Sequence, residues 1–148
     1  MAIALTAVLV FGLDAVSKWL VATRMVPGQS IPVIPGFFYI TYVRNAGAAF
    51  GLLQHRTPLF VAVALVVIAL IVAYGRRLAH GSRLLGIALG MLLGGAAGNL
   101  LDRVLYGHVI DFLDFRVWSF VFNVADSAVV AGTILFALDL LRPPTGGV

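Results

Sequence analysis

Four long apolar runs, at about residues 2–22, 58–75, 84–101 and 117–141, dominate this chain, and each is close to the length a helix needs to cross hydrocarbon. The composition agrees: 61% of residues are hydrophobic, 11% are charged and the mean hydropathy is +1.07, far from the balance of a soluble protein. A chain of 148 residues suits one compact bundle of such spans and leaves no room for a separate soluble catalytic domain. The first run lacks a basic leading segment and carries Asp14 and Lys18, so it is expected to be retained and not cleaved as a signal peptide. The expected fold is therefore an all-α membrane protein with four transmembrane helices, forming a single domain over residues 1–148.

The segment at about 23–57 differs in kind. It contains three prolines, and FFYITYV favours strand, so a small β-rich lobe at the membrane surface is expected, with GAAFGLL opening a short interfacial helix. The connection YGRRLAHGSR packs Arg76, Arg77 and Arg83 into ten residues, which suits a cytoplasmic hairpin and places both termini on its side. A plain count is less decisive, because Arg24, Arg44, Arg56, Arg103 and Arg116 fall at the other end. In the third run, glycines at 86, 90, 94 and 98 lie on one helical face, where small residues let a second backbone come close.

Ionisable groups are costly at membrane depth, so their positions carry information. There is no Glu and no Cys, which excludes thiol nucleophiles, disulfides and thiolate metal sites. Asp14 and Lys18 stand i,i+4 on the first helix and read as a structural ion pair. Asn99, Asp102 and Arg103 close the third run, with Asp102 and Arg103 expected to brace a loop, and Asp139 is expected to pair with Arg142. Asp114 reads as an ordinary loop acid. His108, His55 and His80 do not make a metal site, so no metal or other cofactor is expected.

Asp111 and Asp126 resist such readings, because both have apolar neighbours: VI precedes and FL follows Asp111, and Asp126 stands at the entry of an apolar helix, one turn after Asn123. Two carboxylates brought close cannot both ionise cheaply, so such a pair holds one proton and contains a base and an acid. That equips it to activate water against an amide without a nucleophilic side chain. The same groups would also serve a small proton-coupled carrier as a relay, and the glycine ladder alone would serve an assembly subunit.

The blocks DAVSK (14–18), VRNAGAAFG (43–51), GNLLDR (98–103), GHVIDF (107–112) and FNVADS (122–127), taken together and in this order, resemble the bacterial lipoprotein signal peptidases, or signal peptidase II. The resemblance implies a four-helix aspartyl protease of the bacterial inner membrane, with a periplasmic β-cradle between the first two helices and both termini cytoplasmic. It implies cleavage of diacylglyceryl-modified prolipoproteins N-terminal to the lipid-bearing cysteine. Asp111 and Asp126 match the catalytic dyad, and Asn45, Asn99, Arg103 and Asn123 match polar residues that place substrate and support the dyad. Asp14 and Lys18 match the family's first-helix pair. The implied partners are lipid-modified prolipoproteins and membrane lipids, with no nucleic acid, and the enzyme is expected to be monomeric.

Overall fold

The computed structural model of the chain describes residues 1–47 and 57–142. Most of GAAFGLL, and with it His55, Arg56 and the tail from residue 143, lies outside the described residues. The element order is α1 (Ala2–Arg24), β1 (Ser30–Ile34), β2 (Phe38–Asn45), α2 (Thr57–Leu78), α3 (Arg83–Tyr106), β3 (Val109–Phe115) and α4 (Val124–Leu140). The protein is mostly helical. Three helices, α1, α2 and α3, are long and apolar enough to cross a membrane, and a helix is the element that satisfies its own backbone there.

Helix α3 is the axis of the bundle, with α1, α2 and α4 packed around it. The glycine ladder explains how. A Cβ on Gly90 would stand 2.7 Å from the Ile3 carbonyl oxygen, and one on Gly94 would stand 2.6 Å from that of Ala7, so these positions admit the α1 backbone only because they carry no side chain. Gly86 faces Ala2 in the same row, and at Gly98 a Cβ would fall on the Asp14 carboxylate. The α4 face uses the same device: Gly95 sits under the Ala125 carbonyl, and Gly132 of α4 under that of Ala88. In lipid, where apolar surface has no water to escape, such close approach supplies much of the helix association.

The β-rich lobe is larger than the segment at 23–57 implies. It is a three-stranded antiparallel sheet in the order β1-β2-β3, and its third strand comes from the connection between α3 and α4. VIDFLDF is rich in branched and aromatic residues and pairs with β2 through Val43↔Asp111 and Arg44↔Ile110. One face of the sheet, with Tyr42, Ile110 and Phe112, packs on Val21 and Met25 at the end of α1. Elsewhere the lobe exposes Ile31 and Val33 on β1, Phe37 in the turn and Trp118 after β3, apolar and aromatic side chains suited to a membrane surface.

The fourth apolar run becomes helix only at Val124, not at 117. Phe122 instead bonds back to β3 through Leu113, which leaves Asn123 to cap the helix. The expected ion pair between Asp139 and Arg142 gives way to a tie between helices: Ser82 Oγ donates to Asp139 Oδ1 at 2.6 Å, joining the start of α3 to the end of α4.

Candidate active site

The site grows out of the first turn of α4. Asn123 is the N-cap and Asp126 the third helical residue, and together they form a capping box: the Asn123 side chain accepts from the Asp126 N–H at 2.8 Å, and the Asp126 carboxylate accepts from the Asn123 N–H at 3.4 Å. The cap fixes both side chains on one turn, with Asn123 fully buried and Asp126 half-buried. The Asn123 amide nitrogen then donates to Asp111 Oδ1 at 2.7 Å. Asp111 is 1% exposed in the middle of β3, and its other oxygen accepts from Asn45 Nδ2 of β2 at 2.8 Å.

Strand and helix thus bring the two aspartates to a common centre. Asn123 spans them, and among the described residues no hydrogen bond is drawn from one carboxylate to the other. Asp111 sits in strand, outside the spanning helices, and its carboxyl is pushed up to about 7, first by burial and second by the negative charge of Asp126; the bonds from Asn45 and Asn123 oppose this.

A second layer holds this centre in place. Asn99 Nδ2 of α3 donates to Asp126 Oδ1 at 2.7 Å. The Asn99 oxygen accepts from Asn123 Nδ2 at 3.1 Å and from Lys18 Nζ at 3.0 Å. With an ammonium on one side of it, the Asn99 amide has a single sensible orientation, nitrogen toward Asp126. Lys18 is 3% exposed and lies 2.7 Å from Asp14 and 3.0 Å from Asp102. Asp14 in turn accepts from the Ala125 N–H at 2.8 Å, beside Asp126, and Asp102 accepts from the Ile110 N–H at 3.1 Å, beside Asp111. One ammonium therefore ties α1 to both backbone segments that carry the candidate dyad.

Arg103 lies within the electric field of Asp126, Asp111 and Asp102, with its guanidinium stacked 4.9 Å over the Phe60 ring and reaching the Asn99 carbonyl at 3.4 Å. It makes no ion pair with a carboxylate among the described residues.

The family model described as Signal peptidase (SPase) II matches residues 6–142. The chain belongs to the signal peptidase II family. It is 48% identical over 139 residues to the lipoprotein signal peptidase of Moorella thermoacetica, covering 94% of this chain and 92% of that one. It is 46% identical over 141 residues to that of Desulfitobacterium hafniense, covering 95% and 93%. Among solved structures it is similar to a bacterial membrane enzyme determined by the in meso method, with a TM-score of 0.88 and 35% identity over 97% of this chain and 93% of that one. A second such enzyme gives 0.85 and 38%, covering 93% of this chain and 91% of that one.

Signal peptidase II is a family of aspartic peptidases, and this member is a multi-pass membrane protein. Its remaining charged residues stand apart from the centre. Asp114 accepts from Thr41 Oγ1 at 2.6 Å and meets Arg116 at 3.3 Å, on a different part of β3 from Asp111. His108 is held to the Tyr106 carbonyl by Nδ1 at 2.9 Å. The direct contacts of Lys18 with Asn99 and Asp102 have no local signal in the sequence, Lys18 and Asn99 standing 81 residues apart.

Proposed function

We propose that the chain removes signal peptides from diacylglyceryl-modified prolipoproteins, cutting on the N-terminal side of the lipid-bearing cysteine, with Asp111 and Asp126 as the catalytic pair. The observation that carries this reading is the bridge of Asn123 between the two carboxylates, its side chain donating to Asp111 in a strand and its backbone N–H to Asp126 at a helix start, at the end of an apolar bundle.

The chemistry follows from a pair holding a single proton. The ionised carboxylate takes a proton from a water molecule lying between the two as its oxygen attacks the scissile carbonyl. The protonated one gives its proton to the carbonyl oxygen, and a tetrahedral diol forms. Collapse of the diol breaks the C–N bond while a proton passes back through the pair to the leaving nitrogen. Burial and the charge of Asp126 push the Asp111 carboxyl up to about 7, which makes Asp111 the acid in this reading and leaves the role of base to its half-buried partner, Asp126. Asn45, Asn99 and Asn123 fix the carboxylates, and Arg103 places the substrate backbone or its headgroup.

In this reading α4 is a fourth span, the Arg-rich α2–α3 hairpin and both termini face the cytoplasm, and the sheet and dyad lie at the outer face of the bacterial inner membrane. A substrate anchored by its lipid presents its scissile bond at headgroup depth, where water is present and hydrocarbon begins. The enzyme acts as a monomer. Incubation of the purified protein with a diacylglyceryl-modified precursor and its unlipidated counterpart, read by mass, tests the proposal. Cleavage is expected only of the lipidated form, immediately before the modified cysteine. Equal cleavage of both would remove the lipid from the account, and turnover retained in Asp126→Asn would remove the dyad.

A further inference from the structure

At the opposite end of the bundle, where α1 and α3 begin and α2 ends, a cavity of about 780 Å³ is lined by Arg76, Ser82 and Arg83 at its mouth and by Ile3, Ile71 and Ala73 among its apolar walls. The charges at this end are one-sided. Of the six aspartates, five belong to the other end or to the sheet, and Asp139, the one that remains, is occupied by the Ser82 hydroxyl. Against it stand Arg76, Arg77, Arg83 and Arg142, and none of these makes an ion pair with a carboxylate among the described residues. Ser82, the cap of α3, and Arg83 line the cavity, so the positive end of that helix dipole lies beside it.

A cavity that is cationic at the helix ends and apolar along the helix sides has the polarity of one molecule abundant in its surroundings. We propose that it binds an anionic glycerophospholipid of the adjoining leaflet, with the headgroup phosphate between Arg76 and Arg83 and an acyl chain along Ile71 and Ala73. A zwitterionic lipid fits the apolar walls equally well but returns a positive charge to a mouth that already has an excess. The bound lipid fills the wedge between the ends of α1 and α2, which pack on α3 from different sides.

Native mass spectrometry of the full-length protein, equilibrated with equal amounts of phosphatidylglycerol and phosphatidylcholine, tests this. One phosphatidylglycerol per chain is expected to remain bound in preference to phosphatidylcholine. Arg76→Gln with Arg83→Gln should weaken retention about thirtyfold, the effect of two cationic contacts of ordinary size near an anionic lipid. Arg77→Gln, outside the cavity lining, should leave retention unchanged, and Ala73→Trp should reduce it by filling the acyl path while every charge is kept. Unaltered retention in the double variant, equal retention of phosphatidylcholine, or unaltered retention in Ala73→Trp would each overturn the proposal. Displacement by excess inorganic phosphate would overturn the assignment to a lipid.

Discussion

Around Lys18, two carboxylates meet a full positive charge at 2.7 and 3.0 Å. One turn of helix away, Asp111 and Asp126 meet amide N–H groups from Asn45, Asn99 and Asn123. Both sets are withdrawn from water and both are built from aspartate, yet their surroundings fit them for different work. In the first, charge is answered by charge, and the result is a joint among α1, α3, β3 and α4. In the second, no ammonium or guanidinium pairs directly with either carboxylate among the described residues; amide dipoles hold them and Arg103 acts on them only through its field, so a proton relieves much of the negative charge. Among the described residues Asn99 is the side chain that belongs to both, accepting from Lys18 and donating to Asp126.

The sharpest way to break this contrast is to neutralise the second set. Asp111→Asn or Asp126→Asn should lower turnover of a lipidated precursor by on the order of 10⁴-fold, since both members of an acid–base pair are needed, while the protein remains folded in the membrane. Loss of fold in these variants, read by size-exclusion chromatography in detergent, would make the second set structural like the first. The converse change is Lys18→Met. It strands two buried carboxylates and should cost about 3–5 kcal/mol of stability, seen as poor accumulation or a lowered unfolding midpoint. A variant as stable as the parent would show that the joint is dispensable.

Asn99→Leu cuts the link and should lower kcat by roughly ten- to a hundredfold, the usual weight of a hydrogen bond to a charged group, with a smaller effect on KM. In a double-mutant cycle with Lys18→Gln, the two losses should be less than additive. Strict additivity would mean that Lys18 does not act through Asn99. The pH dependence comes next. A carboxyl pushed up to about 7 loses its proton as pH rises through that value, so activity should fall about tenfold per unit above it. Stability moves the same way: the folded chain holds the Asp111 proton more tightly than the unfolded one, and that contribution is lost as pH climbs from the ordinary 3.8 to about 7. A pH–rate profile flat from about pH 6 to pH 9 would contradict the shared proton. Smallest of all, Asp114→Asn should change turnover by no more than about fivefold, because its partner Arg116 is half exposed to solvent.

Much of this was legible in the sequence, for reasons that differ by element. Helices α1, α2 and α3 announce themselves because hydrocarbon demands uniform apolarity over about 20 residues. The glycine spacing in α3 foretold a close neighbour but could not say that α1 is the one received, since any backbone fits such a groove. The start of α4 was misplaced because Val117–Phe122 is as apolar as a span; the Asn-x-x-Asp capping pattern at 123–126 was the signal that would have set it. Strand β3 was missed because its partner β2 lies far upstream and its two aspartates, three residues apart, break the period of two that marks a half-buried strand. The blocks around Asp111 and Asp126 pointed to the site. The Lys18 joint did not show, as three of its contacts cross between elements distant in the chain.

Asp111 rides on the sheet and Asp126 on a bundle helix, and the cap residue, Asn99, the α1 joint and the pairing of Phe122 with Leu113 hold one against the other. The gap between the two acids is therefore a measure of how deeply the sheet sits against the bundle. Acyl chains that are too short or too long should shift that depth, so turnover in vesicles is expected to pass through an optimum in chain length.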